Sequence, residues 1–321
     1  MDWLNLKAAL LAEGRVRIVG VPVGAYLASS TAGPGAGGKG SIFFSVAGRR
    51  VRLAVDPDAP LTLIHEGKGN AVIPFRGEMV RGVLEAPGLH CPRQAYITLS
   101  ERCIFSCRYC AVPGSGGRTK TTAAVVALVR SVLNRIDAVS ITAGVAESIE
   151  EEEQRALEVV RALVPFGLPI GVSICPTRDT PRLLWEAGVA EVKFNIEAAT
   201  PGIFAEMCPG QDWNLLWEVL AASVRLFGKN HVQSNIIVGL GESDDEMEEA
   251  VRRLCRLGVI PVLRPLTPAA GLSHYRRPDA SRLLRLHAVA AREMAAAGLD
   301  AAQARTMCAA CAGCDLIPGR D

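Results

Sequence analysis

Ala95-Tyr96-Ile97-Thr98-Leu99-Ser100-Glu101-Arg102-Cys103-Ile104-Phe105-Ser106-Cys107-Arg108-Tyr109-Cys110 is the stretch on which the reading of this chain turns. A short β-rich run is followed by three cysteines, with three residues between the first pair and two between the second. That spacing can wrap three sulfurs onto three corners of one cubane iron–sulfur cluster and leaves one iron without a protein ligand. A fourth cysteine would make an electron-transfer cluster, whereas an open iron can hold a substrate or cofactor. A structural zinc site and three unrelated buried thiols are the alternatives. Zinc normally takes four protein ligands in two pairs, and no second pair lies at finger-like distance from this one.

Working outward from this stretch, strand-like and helix-like segments alternate. Strands are predicted over 95–99, 138–142, 169–174, 191–196, 233–238 and 260–264, with helical patterns near 119–134, 149–164, 180–188, 212–227 and 243–257. Short apolar strands alternating with amphipathic helices imply a parallel sheet. With right-handed crossovers it curls into a partial (β/α)6 barrel of the TIM type, with its functional groups in the loops beyond the strand C-termini. The cysteine motif falls directly after the first strand, as that rule requires.

The expected organisation is a small β-rich N-terminal region over 1–94, the barrel over 95–268, and a C-terminal extension over 269–321. The N-terminal region reads as a helix followed by runs at 16–23, 41–46 and 50–55, with Gly48 in a tight hairpin. Its segment Gly33-Pro34-Gly35-Ala36-Gly37-Gly38-Lys39-Gly40 fails as a phosphate loop. Gly40 stands where a magnesium-binding hydroxyl is needed, and a strand follows instead of a helix. A flexible loop is the reading, with a lid over the site as the alternative. The extension carries a helix from Ser281 to Ala297, with His287 on its apolar face as a packed or capping residue, and then Cys308-Ala309-Ala310-Cys311-Ala312-Gly313-Cys314.

The chain has 321 residues, 49% of them hydrophobic, enough to bury a large core. Its formal net charge of +2 gives no long-range field toward nucleic acid or an anionic membrane. Six of the ten cysteines fall in two triplets, which suits metal-cluster ligation in a reducing cytoplasm better than disulfides. No signal-peptide pattern precedes Glu13, and no apolar run approaches the roughly 18 residues of a membrane span. A cytoplasmic protein is expected.

The CxxxCxxC spacing, with Tyr109 before the third cysteine, resembles the signature of the radical S-adenosylmethionine (radical SAM) superfamily. The resemblance implies that Cys103, Cys107 and Cys110 hold a 4Fe-4S cluster whose open iron chelates S-adenosylmethionine. The reduced cluster then cleaves it to a 5′-deoxyadenosyl radical that takes hydrogen from an unactivated carbon. Tyr109 would pack near the adenine, and Gly144, Asn195, Glu197, Gly239 and Gly241 would help seat the cofactor. Asn195-Ile196-Glu197, Cys208-Pro209-Gly210, Val238-Gly239-Leu240-Gly241-Glu242-Ser243-Asp244 and Leu266-Thr267-Pro268 follow one another as similar segments do in lipoyl synthases, of the biotin synthase and lipoyl synthase branch. The likeness covers the barrel and not residues 1 to 90.

Cys308, Cys311 and Cys314 read as ligands of a second, auxiliary 4Fe-4S cluster, with a zinc knuckle as the alternative. Cys91, Cys208 and Ser273 are candidates for its fourth ligand. Lipoyl synthases consume such a cluster as sulfur donor, but carry its cysteines N-terminally; a C-terminal triplet is the arrangement expected of some archaeal-type two-component members. Of the biotin synthase pattern, only Cys175 and Arg264 occupy comparable strand positions. The implied reaction is sulfur insertion, with an octanoyl chain on an acyl-carrier-protein-like domain as candidate substrate. A peptide or cofactor precursor is the alternative, with the second cluster as relay or anchor; a non-catalytic iron–sulfur scaffold is the third reading. A ferredoxin or flavodoxin reductant and a second radical SAM protein are the implied partners. Cys255 reads as core, and Glu147, Arg264 and Tyr275 as polar groups near the mouth.

Overall fold

The computed structural model describes residues 2–29, 40–113, 116–268 and 272–321. Apart from Gly40, the glycine-rich segment read as a loop or lid lies outside these residues. Gly40 has φ of 75° and leads directly into a strand, as the sequence reading required.

The chain opens with helix α1 (Trp3–Glu13), capped by the Asp2 carboxylate, which accepts from Asn5 N at 3.0 Å. Six strands follow: β1 (Arg15–Gly20), β2 (Ser41–Val46), β3 (Arg49–Val55), β4 (Thr62–Gly67), β5 (Asn70–Phe75) and β6 (Glu78–Glu85). They close into a barrel of order β1-β3-β2-β6-β5-β4. The sequence reading found only the first three strands. The rest were hidden because their hairpins turn on Lys68-Gly69 and Arg76-Gly77, with φ of 53° and 85°, then 50° and 82°. Two-residue turns with both φ positive favour Asn or Asp before the glycine, so a basic residue there gives little signal. Ala47-Gly48 does the same between β2 and β3.

The second unit is an open seven-stranded sheet of order β13-β12-β11-β10-β9-β8-β7. After β7 (His90–Cys91), which pairs antiparallel on the edge, come β8 (Gln94–Thr98), α2 (Thr122–Val132), β9 (Ala138–Thr142), α3 (Ile149–Leu163), β10 (Ile170–Ser173), α4 (Thr180–Glu186), β11 (Glu191–Lys193), α5 (Pro201–Met207), α6 (Trp213–Phe227), β12 (Val232–Val238), α7 (Asp244–Leu257) and β13 (Ile260–Pro265). Every neighbouring pair from β8 to β13 is parallel. The predicted partial (β/α)6 barrel is therefore the fold, with α5 as an added helix after β11. Local signals match: Ser148 caps α3, whose first turn is acidic and last turn basic, and Ser243 and Glu246 form a capping box on α7.

Parallel strands covered on both faces usually read as continuous apolar runs. Here only alternate residues do. Ile97, Val139, Ile141, Val172, Val192 and Ile236 pack into one core with Val125, Val129, Leu157 and Val160 of the helices. The opposite parity carries Gln94, Tyr96, Ser140, Thr142, Ser173, Glu191, Lys193, Gln233 and Asn235, so the concave face is polar.

That polar face receives the C-terminal segment. After α8 (Ala280–Ala297) the chain reaches α9 (Met307–Cys311), and residues 305–309 enter the barrel among the N-terminal halves of its strands. Glu191 accepts from Arg305 N at 2.8 Å, Thr306 N at 2.9 Å and Thr306 Oγ1 at 2.6 Å. Met307 N donates to Gln94 Oε1 at 2.9 Å, and Ala309 N to Gln233 Oε1 at 3.0 Å. A Cβ on Gly171 would lie 2.3 Å from Thr306 Oγ1, so only glycine leaves room there. Buried backbone amides need partners, and these side chains supply them. The segment read as an extension is thus a plug inside the barrel.

The rest of the tail ties the two units together. Leu316 bridges Leu263 of β13, and Arg52 N of β3 donates to Gly313 O at 2.7 Å. Lys7 of α1, fully buried, bonds the Ala312 carbonyl and the Asp321 carboxylate.

Candidate functional site

Beyond the C-terminal end of β8, the loop with Cys103, Cys107 and Cys110 is held by its neighbours. Ile104 N donates to Val145 O at 2.7 Å, and Arg108 N to Met207 O at 2.9 Å. Val145 N donates to Cys103 Sγ at 3.4 Å, and Gln211 Nε2 to Cys107 Sγ at 3.0 Å. Gly144 N donates to Ser100 O at 2.8 Å, and a Cβ on Gly144 would stand 2.3 Å from Arg102 O. The glycine lets the loop after β9 close against the cysteine loop.

At the end of β11 the backbone turns sharply, with Glu197 at φ of 56°, a left-handed conformation uncommon for a side-chain-bearing residue. Asn195 Oδ1 accepts from Asn235 N at 3.1 Å. The Glu197 carboxyl, bonded by Asn195 and Tyr109, is held above its ordinary value by burial, against the pull of Lys193 and Arg264. Asn235 is 3% exposed and its Oδ1 has no partner among the described residues.

The second cysteine set lies deeper, on the plug. Lys193 Nζ stands 3.1 Å and Arg264 Nη2 3.3 Å from Cys308 Sγ. Cys91, from the edge strand β7, shares a thiol hydrogen bond with Cys311. That bond, above all, draws Cys311 down to about 6 against its burial, with Arg50 adding to the effect, while Cys91 is pushed up. Gly313 permits the tight approach of this loop to β2, since a Cβ there would meet Phe43 Cε1 at 2.6 Å.

Both sets open onto one cavity of about 1030 Å³. Cys103, Cys107, Cys110, Tyr109, Gly144, Asn195 and Glu197 line one part of it; Cys91, Cys308, Cys311, Cys314 and Arg264 line another. The N-terminal barrel contributes Phe43, Arg52, Ala54 and Asp56, and so walls a space that the sheet alone leaves open. Such a volume is at the upper end of small-molecule sites.

Among the described residues no group of three or more Cys, His, Asp or Glu is drawn into metal-ligand geometry. The chemistry of the donors nonetheless fits iron–sulfur groups at both places. Each offers three sulfurs in a short loop, and the orphaned Asn235 Oδ1 in the same cavity offers an acceptor for an amino or hydroxyl group.

Other predicted residues lie elsewhere. Gly239 and Gly241 are not in the cavity wall: Gly239 N and Leu240 N both donate to the Glu242 carboxylate at 2.8 Å, which organises this loop from within. Cys208 is buried beside Cys107 and Tyr109, with Tyr109 Oη 3.4 Å from its sulfur, and so belongs with the first cysteine set. Ser273 is exposed and does not line the cavity. Cys175 does, near Cys103 and Cys107, its thiol pushed up to about 12 by burial. Cys255 is in the core. His287 is half-buried on α8, its Nε2 without a partner among the described residues, and it does not line the cavity. Glu147 pairs with Arg102 at 3.9 Å on the surface, and Tyr275 packs on His274; neither lines the cavity.

Lys193, Arg52, Tyr96 and Asn235 were missed by the sequence reading. Their signal is polar residues at alternate positions inside otherwise apolar strands.

Residues 97–254 match the family model described as the radical SAM superfamily. No curated protein sequence matches the chain. In fold it is similar to HydG, a maturase of the FeFe-hydrogenase, at 17% identity and a TM-score of 0.55, over 64% of this chain and 50% of that one. It is also similar to a radical SAM methyltransferase from Sphaerobacter thermophilus (17% identity, TM-score 0.51, over 80% and 70% of the two chains) and to methylornithine synthase, PylB (16%, 0.52, over 65% and 70%). The chain spans about half the length of the HydG proteins, 52% for the one from Carboxydothermus hydrogenoformans. At these identities the likeness is one of fold.

Proposed function

We propose, from the premise that residues 97–254 are a domain of the radical SAM superfamily, that this chain is a sulfur-inserting radical SAM enzyme. Its substrate would lie between a 4Fe-4S cluster on Cys103, Cys107 and Cys110 and a second iron–sulfur group on Cys308, Cys311 and Cys314. The carrying observation is that both cysteine sets line one cavity. When bound, the first cluster supplies the electron for reductive cleavage of S-adenosylmethionine, and the second supplies sulfide.

The chain's own groups have definable tasks. Asn195, Asn235 and Glu197 would offer acceptors to amino and hydroxyl groups of the cofactor, Asn235 Oδ1 having no partner among the described residues. Tyr109, tied to Glu197, forms an apolar wall beside the cysteine loop. The N-terminal barrel screens the cavity from water, which protects a reactive intermediate. A saturated acyl chain on a carrier domain is the substrate class that the lipoyl synthase likeness of residues 194 to 268 suggests, with a ferredoxin or flavodoxin as reductant.

A second reading is favoured by Cys91. Four thiolates make a fully ligated cluster, suited to electron relay or anchoring during modification of a peptide or cofactor precursor. The test is anaerobic turnover with S-adenosylmethionine and dithionite, following 5′-deoxyadenosine and acid-labile sulfide. Sulfur insertion requires deoxyadenosine together with loss of sulfide from wild type and not from the Cys308/311/314 triple alanine variant. Deoxyadenosine without sulfide loss favours the relay, and a loaded, reduced protein that forms none rejects the radical enzyme.

A further inference from the structure

The two cysteine sets receive different hydrogen-bond donors. At the outer set, the donors to sulfur are neutral, Val145 N and Gln211 Nε2. At the inner set, cations dominate. Lys193 and Arg264 both donate to Cys308 Sγ, Arg50 Nη1 donates to Cys311 O at 3.5 Å, and Arg52 acts on Cys91, Cys311 and Cys314 together.

Two of these cations make no hydrogen bond or ion pair to a carboxylate among the described residues. Arg264 is clamped by Asp315 at 2.7 and 2.9 Å, and Arg50 by Glu85. Lys193, 4% exposed, bonds only the Tyr96 hydroxyl at 3.3 Å and the Cys308 sulfur among the described residues. Arg52, 1% exposed, spends Nε on Ser41 Oγ at 2.7 Å and Nη1 on His90 Nε2 at 3.1 Å, and its Nη2 has no partner among them. A guanidinium and an ammonium buried without a carboxylate in direct contact are costly, so the wall suits an anion facing Cys91, Cys308, Cys311 and Cys314.

We infer that Arg52, Lys193 and Arg264 form a cationic collar around an iron–sulfur cluster ligated by Cys91, Cys308, Cys311 and Cys314, and that the collar holds its reduction potential above that of the outer cluster. The inference rests on the two-cluster reading of the cavity and adds the fourth ligand and the electrostatic role of the wall. A cubane core with four thiolates is anionic, and gains further negative charge on reduction. Cations and hydrogen bonds to its sulfurs therefore favour the reduced form, and burial strengthens them.

The test uses full-length chain with one set removed at a time: Cys103/107/110 to alanine leaves the inner site, and Cys308/311/314 to alanine leaves the outer one. After anaerobic reconstitution, iron and zinc are counted and each cluster is titrated potentiometrically by electron paramagnetic resonance. The inner-only protein should bind about four irons and reduce at higher potential than the outer-only protein. Lys193→Met and Arg52→Gln should each lower the inner potential and leave the outer one unmoved, while Lys193→Arg and Arg52→Lys stay near the parent. Cys91→Ala should change the inner spectrum and lower its iron content. Zinc in place of iron at the inner site, an inner potential below the outer one, or potentials indifferent to the collar variants would overturn the inference. Deoxyadenosine formation is read separately on the protein carrying the outer set, so failure of the radical reaction and failure of the collar give different results.

Discussion

Lys193 Nζ lies 3.1 Å from the sulfur of Cys308, a residue 115 positions further along the chain. One comes from a barrel strand and the other from the C-terminal plug, so this contact joins the plug to the concave face of the sheet. The plug thereby becomes the floor of the cavity whose rim carries Cys103, Cys107 and Cys110. Its hold on the barrel is made of specific groups, and each can be removed.

Glu191 is fully buried and accepts three hydrogen bonds from Arg305 and Thr306. Glu191→Gln keeps the size but turns one acceptor into a donor and removes the charge. Bonds to charged groups contribute about 1.5–3 kcal/mol each, so the variant should lose about 2 kcal/mol of stability in denaturant titration. Limited proteolysis should cut after Arg305 or Arg320 sooner than in wild type.

Gly171→Val should act at the same joint from the other side. Thr306 is β-branched and tied to Glu191, so it cannot rotate away from the new side chain. Overpacking costs about 1–3 kcal/mol. Iron analysis should show the inner iron depleted and the outer iron retained.

The barrel was legible because its strands and helices alternate with regular spacing, and because Cys103 follows directly on β8. The N-terminal barrel was half legible: Gly48 marked one hairpin, whereas Lys68 and Arg76 concealed two others by taking positive φ before a glycine. The plug was illegible as such. Gln94, Ser140, Glu191 and Gln233 look like ordinary polar residues until the register puts them on one face, and the backbone they satisfy lies up to 213 residues away. Cys91 was named only as one of three candidates, since no spacing rule connects it with Cys311.

The Gly239-Leu240-Gly241-Glu242 segment should prove structural. Glu242 binds two backbone amides and pairs with Arg282 at 3.0 Å, its own side chain 1% exposed. Glu242→Ala leaves the two amides without their acceptor, at a cost of about 1–3 kcal/mol, while Arg282 keeps Asp244 and the Glu242 carbonyl. Calorimetry on the variant, at a temperature where it remains folded, should find S-adenosylmethionine affinity within about twofold of wild type.

The adjacent Asp244 supplies a pH test. Hydrogen bonds from Arg282 and then Arg285 hold its carboxyl below the usual 3.8. A depressed folded pKa gives stability that is present above the unfolded value and lost as pH falls through the folded one. The melting difference between wild type and Asp244→Asn should therefore be largest at neutral pH and shrink below about pH 4. Because Asp244 is partly exposed, the difference should also diminish in high salt.

On the proposed function, two iron–sulfur groups face each other across one cavity. Diffraction at the iron edge from anaerobically grown crystals of the reconstituted protein tests it most directly. Two anomalous centres are expected, one ligated by Cys103, Cys107 and Cys110, the other by Cys91, Cys308, Cys311 and Cys314, with continuous space between them. A single centre at the outer cysteines, with the inner set free or holding zinc, would contradict it.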